Sequence, residues 1–406
     1  MKELRIGVIG NVDSGKSTLI GVITKNVLDN GRGSARQTIL KHPHEKKSGR
    51  TSSISQNFLK LNNDDCINFI DLAGHEKYLK TTIKGLSGYF LDYVIIVVGA
   101  NMGVSRMTKE HLSITIALKI PYIIVVTKYD ISPKNIYDQT IKDIGKIINN
   151  RDNKKLKPFF LPNKINKKHD FNVKTYYPIV SVSNKTGKNI NRLLNFLIQL
   201  EPKHRTSNIP HNISNNINEF AIDSKYNVKG VGIVLSGRCT YGKLEKNERY
   251  YIGPSKGMWL EVTLKSFHNN FREEIEYLNK GESGCVAIKF INAKKDDISN
   301  FEIKSGLILT QTIKNKSIKK FSANIIVLNN HSTTIKTDYE PIINCKRIAQ
   351  CAKILNIDNN KIIRGGDKAR IEFEFVYKPE YIQQNDYFIF REGRTRGIGI
   401  VLHTQE

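Results

Sequence analysis

Gly10-Asn11-Val12-Asp13-Ser14-Gly15-Lys16-Ser17 satisfies the spacing G-x-x-x-x-G-K-[ST]. It follows the apolar run Leu4–Ile9 and precedes apolar positions at helical spacing, Leu19, Val22 and Ile23. No other feature of the chain restricts its fold so much. A glycine turn between a buried strand and a helix points backbone N–H groups and the positive end of the helix at one spot, and that spot takes phosphate. The glycines let the backbone approach the oxygens. Lys16 is placed to neutralise the outer phosphates, and the Ser17 hydroxyl to ligate Mg²⁺.

The surrounding text alternates apolar runs with helical patterns up to about residue 200. The runs are Leu4–Ile9, Cys66–Ile70, Tyr93–Val98, Tyr122–Val126 and Tyr177–Val182; helical stretches include Ser17–Val27, Val104–Lys119 and Asn189–Leu200. This order predicts βαβ units and a mostly parallel sheet with its ligand loops on one edge. Pro202, Pro210, Asn215 and Asn216 mark a linker. Beyond it, short strands alternate with Gly/Asn/Asp turns. The expected architecture is an α/β P-loop domain with a mostly parallel sheet followed by two β-barrel domains, with boundaries at 1–204, a linker 205–216, 217–313 and 318–406.

Two further loops bear on the ligand. Asp71-Leu72-Ala73-Gly74 ends the run Cys66–Ile70. A carboxylate there reaches Mg²⁺ through water, and the Gly74 amide faces a γ-phosphate. Thr127-Lys128-Tyr129-Asp130 follows Tyr122–Val126. Asp130 accepts from both N1–H and the exocyclic amine of guanine; adenine has no such donor pair, so a carboxylate here selects GTP over ATP. The Lys128 stem lies over the purine face. A last loop is Ser183-Asn184-Lys185, with Ser181-Val182-Ser183 as the rival register. The expected nucleotide contacts are Gly10, Asn11, Val12, Asp13, Ser14, Gly15, Lys16, Ser17, Thr18, Asp71, Gly74, Thr127, Lys128, Asp130, Ser183, Asn184 and Lys185.

Together these residues resemble a translation-factor GTPase of the elongation factor Tu and elongation factor 1-alpha type. More narrowly, the strings Asn11–Thr18, Leu28-Asp29-Asn30-Gly31-Arg32-Gly33, Ser48-Gly49-Arg50-Thr51-Ser52-Ser53, Asp71–Tyr78 and Arg391-Glu392-Gly393-Arg394-Thr395-Arg396-Gly397-Ile398-Gly399 resemble the GTP-binding protein 1 and 2 branch. The likeness covers nearly the whole chain. It implies a switch that hydrolyses GTP and acts in translation or in ribosome and mRNA surveillance. It also implies that Thr51, with Ser52 as rival, meets Mg²⁺ and the γ-phosphate. The metal ligands are then Ser17, Thr51 and Asp71, and the catalytic group His75, Lys16 and Thr51, with His75 orienting the attacking water. Two departures stand out. Thr127 replaces the usual asparagine, and Arg50 stands where elongation factor Tu has an apolar residue, either facing solvent or donating to phosphate.

Lys+Arg 64 against Asp+Glu 38 leaves a net charge of +26. That excess suits a polyanionic partner such as RNA, including tRNA or the ribosome, and equally suits the Lys/Asn/Ile-rich usage of an AT-rich genome. Residues 25–50 carry a net +5 and residues 145–174 a net +7, the latter reading as an insertion before the last strand of the domain. Arg391, Arg394 and Arg396 surround a glycine-rich hairpin that could meet RNA phosphate, while Trp259 reads as core or rim packing. No apolar run reaches the ~18 residues of a membrane helix. Five scattered cysteines without CxxC pairs speak for a reducing compartment and against zinc. A cytoplasmic monomer is expected, in the host cytoplasm if the source is a parasite or virus. An RNA-turnover adaptor with incidental hydrolysis and a metabolic GTPase of the sulfate-activation type are the alternatives.

Overall fold

The computed structural model describes residues 2–40, 45, 53–61, 65–152, 156–162, 176–202, 218–312, 317–328, 334–346, 348–358, 362–392 and 394–405. The chain divides into two compact units, residues 1–86 with 90–203, and residues 87–89 with 204–406.

The first unit holds strands β1 (Glu3–Gly10), β2 (Ser55–Lys60), β3 (Cys66–Asp71), β4 (Tyr93–Gly99), β5 (Tyr122–Thr127), β6 (Lys157–Phe160) and β7 (Tyr176–Val182). Its helices are α1 (Lys16–Lys25), α2 (Ser34–Gln37), α3 (Leu79–Gly88), α4 (Arg106–Ala117), α5 (Lys134–Asp152) and α6 (Ile190–Ile198). The sheet order is β2-β3-β1-β4-β5-β7-β6. Only β2, on one edge, runs antiparallel to its neighbour. β1 and β3 are buried at every position, as strands covered by helices on both faces must be. One core unites Ile6, Val8, Ile95 and Val97 of the sheet with Leu19, Ile23, Leu193 and Leu197 of the helices.

The five apolar runs all become parallel strands, each within a residue or two of its expected bounds. Helix α1 stops at Lys25 because Asn26 turns left-handed at φ 53°. Helix α4 starts where Ser105 accepts from the Thr108 N–H at 3.1 Å. The basic stretch 145–174 is not simply an insertion. Its first part is the end of α5, and Lys157–Phe160 pairs in parallel with β7 as an edge strand. Exposure on that edge explains why Lys157 and Pro158 carry no apolar pattern.

The second unit opens with β8 (Glu219–Val228), β9 (Gly232–Tyr241), β10 (Lys243–Glu245), β11 (Arg249–Ser255), β12 (Met258–His268), β13 (Glu274–Ile275), β14 (Tyr277–Asn279), β15 (Ser283–Phe290), helix α7 (Lys295–Asn300) and β16 (Ile308–Thr310). The order β11-β16-β8-β9-β15-β12 closes through a β11–β12 pairing into a six-stranded barrel. Strands β17 (Lys320–Val327), β18 (Ile342–Cys345), β19 (Ile348–Ile357), β20 (Lys368–Phe375), β21 (Tyr387–Glu392) and β22 (Arg394–Gln405) close a second barrel. Phe321 stacks on Phe373 at 5.2 Å between ring centroids, and Phe388 meets both edge-on.

The glycines of the β21–β22 hairpin serve this core. A methyl at Gly397 would collide with the Phe390 ring, and one at Gly399 with the Phe388 ring. Arg391 is buried on the same hairpin at 4% exposure, and burial lowers its pKa. It is therefore not offered to an outside phosphate; the side chains of Arg394 and Arg396 lie outside the described residues. Trp259 packs over Gly253 on the first barrel. All five cysteines are free thiols. No helix among the described residues is long and apolar enough to cross a membrane.

Candidate nucleotide site

The C-terminal ends of β1, β3, β5 and β7 bring four loops around the start of α1, where a parallel sheet puts its ligand crevice. The first loop wraps on itself. Asn11 O accepts from Ser14 Oγ at 2.9 Å and from Lys16 Nζ at 2.7 Å. Gly15 takes φ 86° at the N-terminus of α1, a conformation open to glycine without strain. Lys16 is buried, and burial lowers its pKa against the opposing pull of the Asp71 and Asp13 carboxylates. Asp13 itself stands exposed at φ 56°, with Val12 half-buried before it and Thr18 half-buried in the first turn of α1.

At the end of β3, Asp71 Oδ2 accepts from Ser17 Oγ at 2.6 Å. Two oxygen-bearing side chains thus converge beside the P-loop, a hard donor set that suits Mg²⁺ better than a soft metal. Gly74 lies directly on the loop: a methyl there would overlap Gly10 O and Lys16 Nζ. Thr82 Oγ1 holds this segment by donating to Ala73 O at 2.6 Å. His75 turns outward. It caps the short 3-10 helix 76–78, its Nδ1 accepting from the Lys77 N–H at 3.1 Å, and its ring meets Tyr78 edge-on. The neutral ring accordingly carries its proton on Nε2.

The loops after β5 and β7 close on Gly15 of the P-loop. Thr127 is fully buried, and its hydroxyl donates to Ser14 O at 2.6 Å. Lys128 sits at φ 58°, and its carbonyl accepts from Ser132 Oγ at 2.8 Å, a turn that leaves Asp130 exposed. Ser181 belongs to β7 and bonds Tyr137, whereas Ser183 Oγ accepts from Thr186 N at 3.0 Å and starts the loop. Of the two registers, Ser183-Asn184-Lys185 is the one in loop conformation. Asn184 Nδ2 donates to Gly15 O at 3.3 Å, and the Lys185 stem covers Gly31.

Arg50, Thr51 and Ser52 lie outside the described residues. Three groups carry structure here in roles that motif reading did not assign. Asp29 is a buried carboxylate accepting from the N–H groups of Gly31, Gly33 and Ala35 at 2.8, 3.2 and 3.0 Å. The Asp-Asn-Gly text is a turn signal that could have revealed it. His111 is buried in α4, with neither ring nitrogen bonded among the described residues. The third is the Asn184 side chain, whose reach to the P-loop has no sequence signal.

Comparison with known proteins agrees with this geometry. Residues 1–203 match the family described as elongation factor Tu GTP binding domain. The chain is 37% identical to GTP-binding protein 1 of Xenopus laevis, over 98% of this chain and 63% of that protein. It is 32% identical to GTP-binding protein 2 of Homo sapiens, over 99% of this chain and 69% of that protein. Among solved structures, translation elongation factor SelB from Methanococcus maripaludis with the GTP analogue GppNHp superposes with a TM-score of 0.72 at 20% identity, covering 100% of this chain and 80% of that one. The S. cerevisiae Ski7 GTPase-like domain bound to GTP gives 0.77 at 13% identity, covering 98% and 97%. Those two likenesses speak for the fold alone. With a P-loop, an Asp71–Gly74 segment and the loops after β5 and β7 gathered at one sheet edge, two barrels later in the sequence, and relatives matched along almost its whole length, the chain belongs to the elongation factor Tu type of the translation-factor GTPase superfamily.

Proposed function

We propose that this chain binds GTP with Mg²⁺, hydrolyses it to GDP and phosphate, and works as an elongation-factor-like switch on ribosomes or mRNA. The observation that carries the reading is the convergence on the P-loop of Lys16, the Ser17–Asp71 pair and Gly74, with Thr127 and Asn184 closing on Ser14 and Gly15. Gly10 to Thr18 cradle the phosphates, and the Lys16 ammonium exchanges Asn11 O for phosphate oxygen. A magnesium ion held by Ser17, Thr51 and Asp71 would screen the charge that develops on the phosphates. Because Gly74 abuts Lys16, a γ-phosphate has to displace the segment that carries Gly74. That displacement is the switching event.

Lys128 covers the purine, and Asp130 reads its N1 and exocyclic amine; Ser183 and Lys185 complete the pocket. His75 orients the attacking water only after it gives up its bond to Lys77, so hydrolysis by the free protein is slow and a ribosomal or RNA partner completes it. The protein acts as a cytoplasmic monomer. The chain spans 63% of GTP-binding protein 1, and partners engaged by any further segment are a separate matter.

The test is nucleotide exchange. Purified protein in excess magnesium takes up a fluorescent GDP analogue, and Asp130→Asn moves preference from GTP to XTP. Protein that ignores guanine nucleotides under these conditions ends the proposal. Hydrolysis is then followed with and without ribosomes, where stimulation that vanishes in His75→Ala supports the catalytic assignment.

A further inference from the structure

Thr127 and Asn184 close on adjacent residues of the P-loop from two different strands, and their hydrogen-bonding capacities differ. A threonine hydroxyl has one hydrogen to donate. Thr127 spends it on Ser14 O at 2.6 Å, and the residue is fully buried. No donor remains at position 127 for the N7 and O6 edge of guanine, which presents acceptors only. An asparagine amide has two N–H donors. Asn184 uses one on Gly15 O at 3.3 Å, which leaves its second N–H without an acceptor among the described residues. A half-buried amide with one N–H to spare, beside the residue where the loops meet, can take an acceptor that the protein does not itself supply.

We infer that Asn184 is the residue that reads the N7 edge of the purine, taking over with its side chain the donor that Thr127 lacks. The inference rests on the reading that this site takes a guanine nucleotide. Thr127 then serves as the tie between the end of β5 and the P-loop, and the two residues divide tying and reading between them. Asp130 reads the opposite edge of the base, so the purine is held from both sides. Asn184 is a specificity-determining residue and takes no part in the chemistry at the γ-phosphate.

The experiment is displacement of a ribose-labelled fluorescent GDP from the whole chain by GDP and by 7-deaza-GDP, in which a C–H replaces N7. Wild type is expected to prefer GDP by about tenfold, the scale of one hydrogen bond in a desolvated site. Asn184→Ala is expected to bind both nucleotides equally, at the weaker affinity. Adding Thr127→Asn to Asn184→Ala is expected to restore the preference, because it returns a second donor from the other loop. Should Asn184→Ala fold poorly, Asn184→Asp removes both donors at the same volume and is expected to abolish the preference. An Asn184→Ala protein that still prefers GDP tenfold overturns the inference, as does a wild type that binds GDP tightly without distinguishing the deaza analogue. A wild type that takes neither nucleotide defeats the guanine reading itself.

Discussion

Ser17 Oγ donates to Asp71 Oδ2 at 2.6 Å, joining the first turn of α1 to the last residue of β3. The two residues are 54 positions apart, and only the β1–β3 pairing brings them together. Because both are proposed as oxygen ligands of one magnesium ion, their loss should be felt through magnesium. Ser17→Ala and Asp71→Asn are each expected to raise the magnesium concentration needed to retain GDP by roughly tenfold. Off-rates of labelled GDP across an EDTA–magnesium series measure this. Retention that responds to magnesium exactly as in wild type removes the pair from the metal site.

Asp29 organises the loop that leaves α1. Three backbone N–H groups depend on its carboxylate, and two of them sit at Gly31 and Gly33. Asp29→Ala is expected to cost about 1–3 kcal/mol, the penalty for stranding those donors. The local consequence is faster tryptic cleavage after the exposed Arg32. Unchanged cleavage and unchanged urea midpoint would show that water replaces the carboxylate without loss.

His111 makes stability depend on acid. Burial first, and the Lys16 ammonium second, push its pKa from 6.5 down to about 3. In the unfolded chain the ring takes a proton near pH 6.5, whereas the folded protein refuses it until about pH 3. Between those values the unfolded state binds more protons, so the stabilisation is complete above pH 6.5 and drains away as pH falls. Going from pH 7.5 to 5.5, His111 alone is expected to remove about 1.4 kcal/mol. Urea unfolding of His111→Leu at both pH values should lack that increment; a variant that loses as much as wild type assigns the acid sensitivity elsewhere.

Tyr381, in the second barrel, donates to Glu219 Oε2 of the first at 2.6 Å, while Thr240 holds Oε1 at 2.6 Å. Glu219 is buried at 4% exposure, so its second oxygen has no ready replacement from water. Tyr381→Phe is expected to destabilise the second unit by about 1–3 kcal/mol without altering GDP affinity. Urea unfolding and nucleotide titration on the same sample separate the two. A loss of GDP affinity with unchanged stability contradicts this account.

Much of this molecule is legible along the chain because its determinants are local. Alternating buried runs and helical periods specify the five inner strands, since a strand covered on both faces must be apolar throughout and a covering helix must be apolar on one face. The P-loop and the Asp71 and Asp130 loops are likewise read from spacing, because backbone geometry at a strand end constrains only a handful of consecutive residues. Tertiary structure alone decided matters that depend on partners far off in sequence. Thr127 and Asn184 meet the P-loop because β5 and β7 lie side by side, not because of anything in their own neighbourhoods. The sequence reads the last hairpin as a glycine-rich turn among arginines that could meet RNA phosphate, yet Gly397 and Gly399 are the floor for Phe390 and Phe388. The bond that His75 accepts from the Lys77 N–H and its contact with the Tyr78 ring are likewise tertiary detail, because a side chain's direction follows from the hydrogen bonds and packing around it, which spacing does not encode.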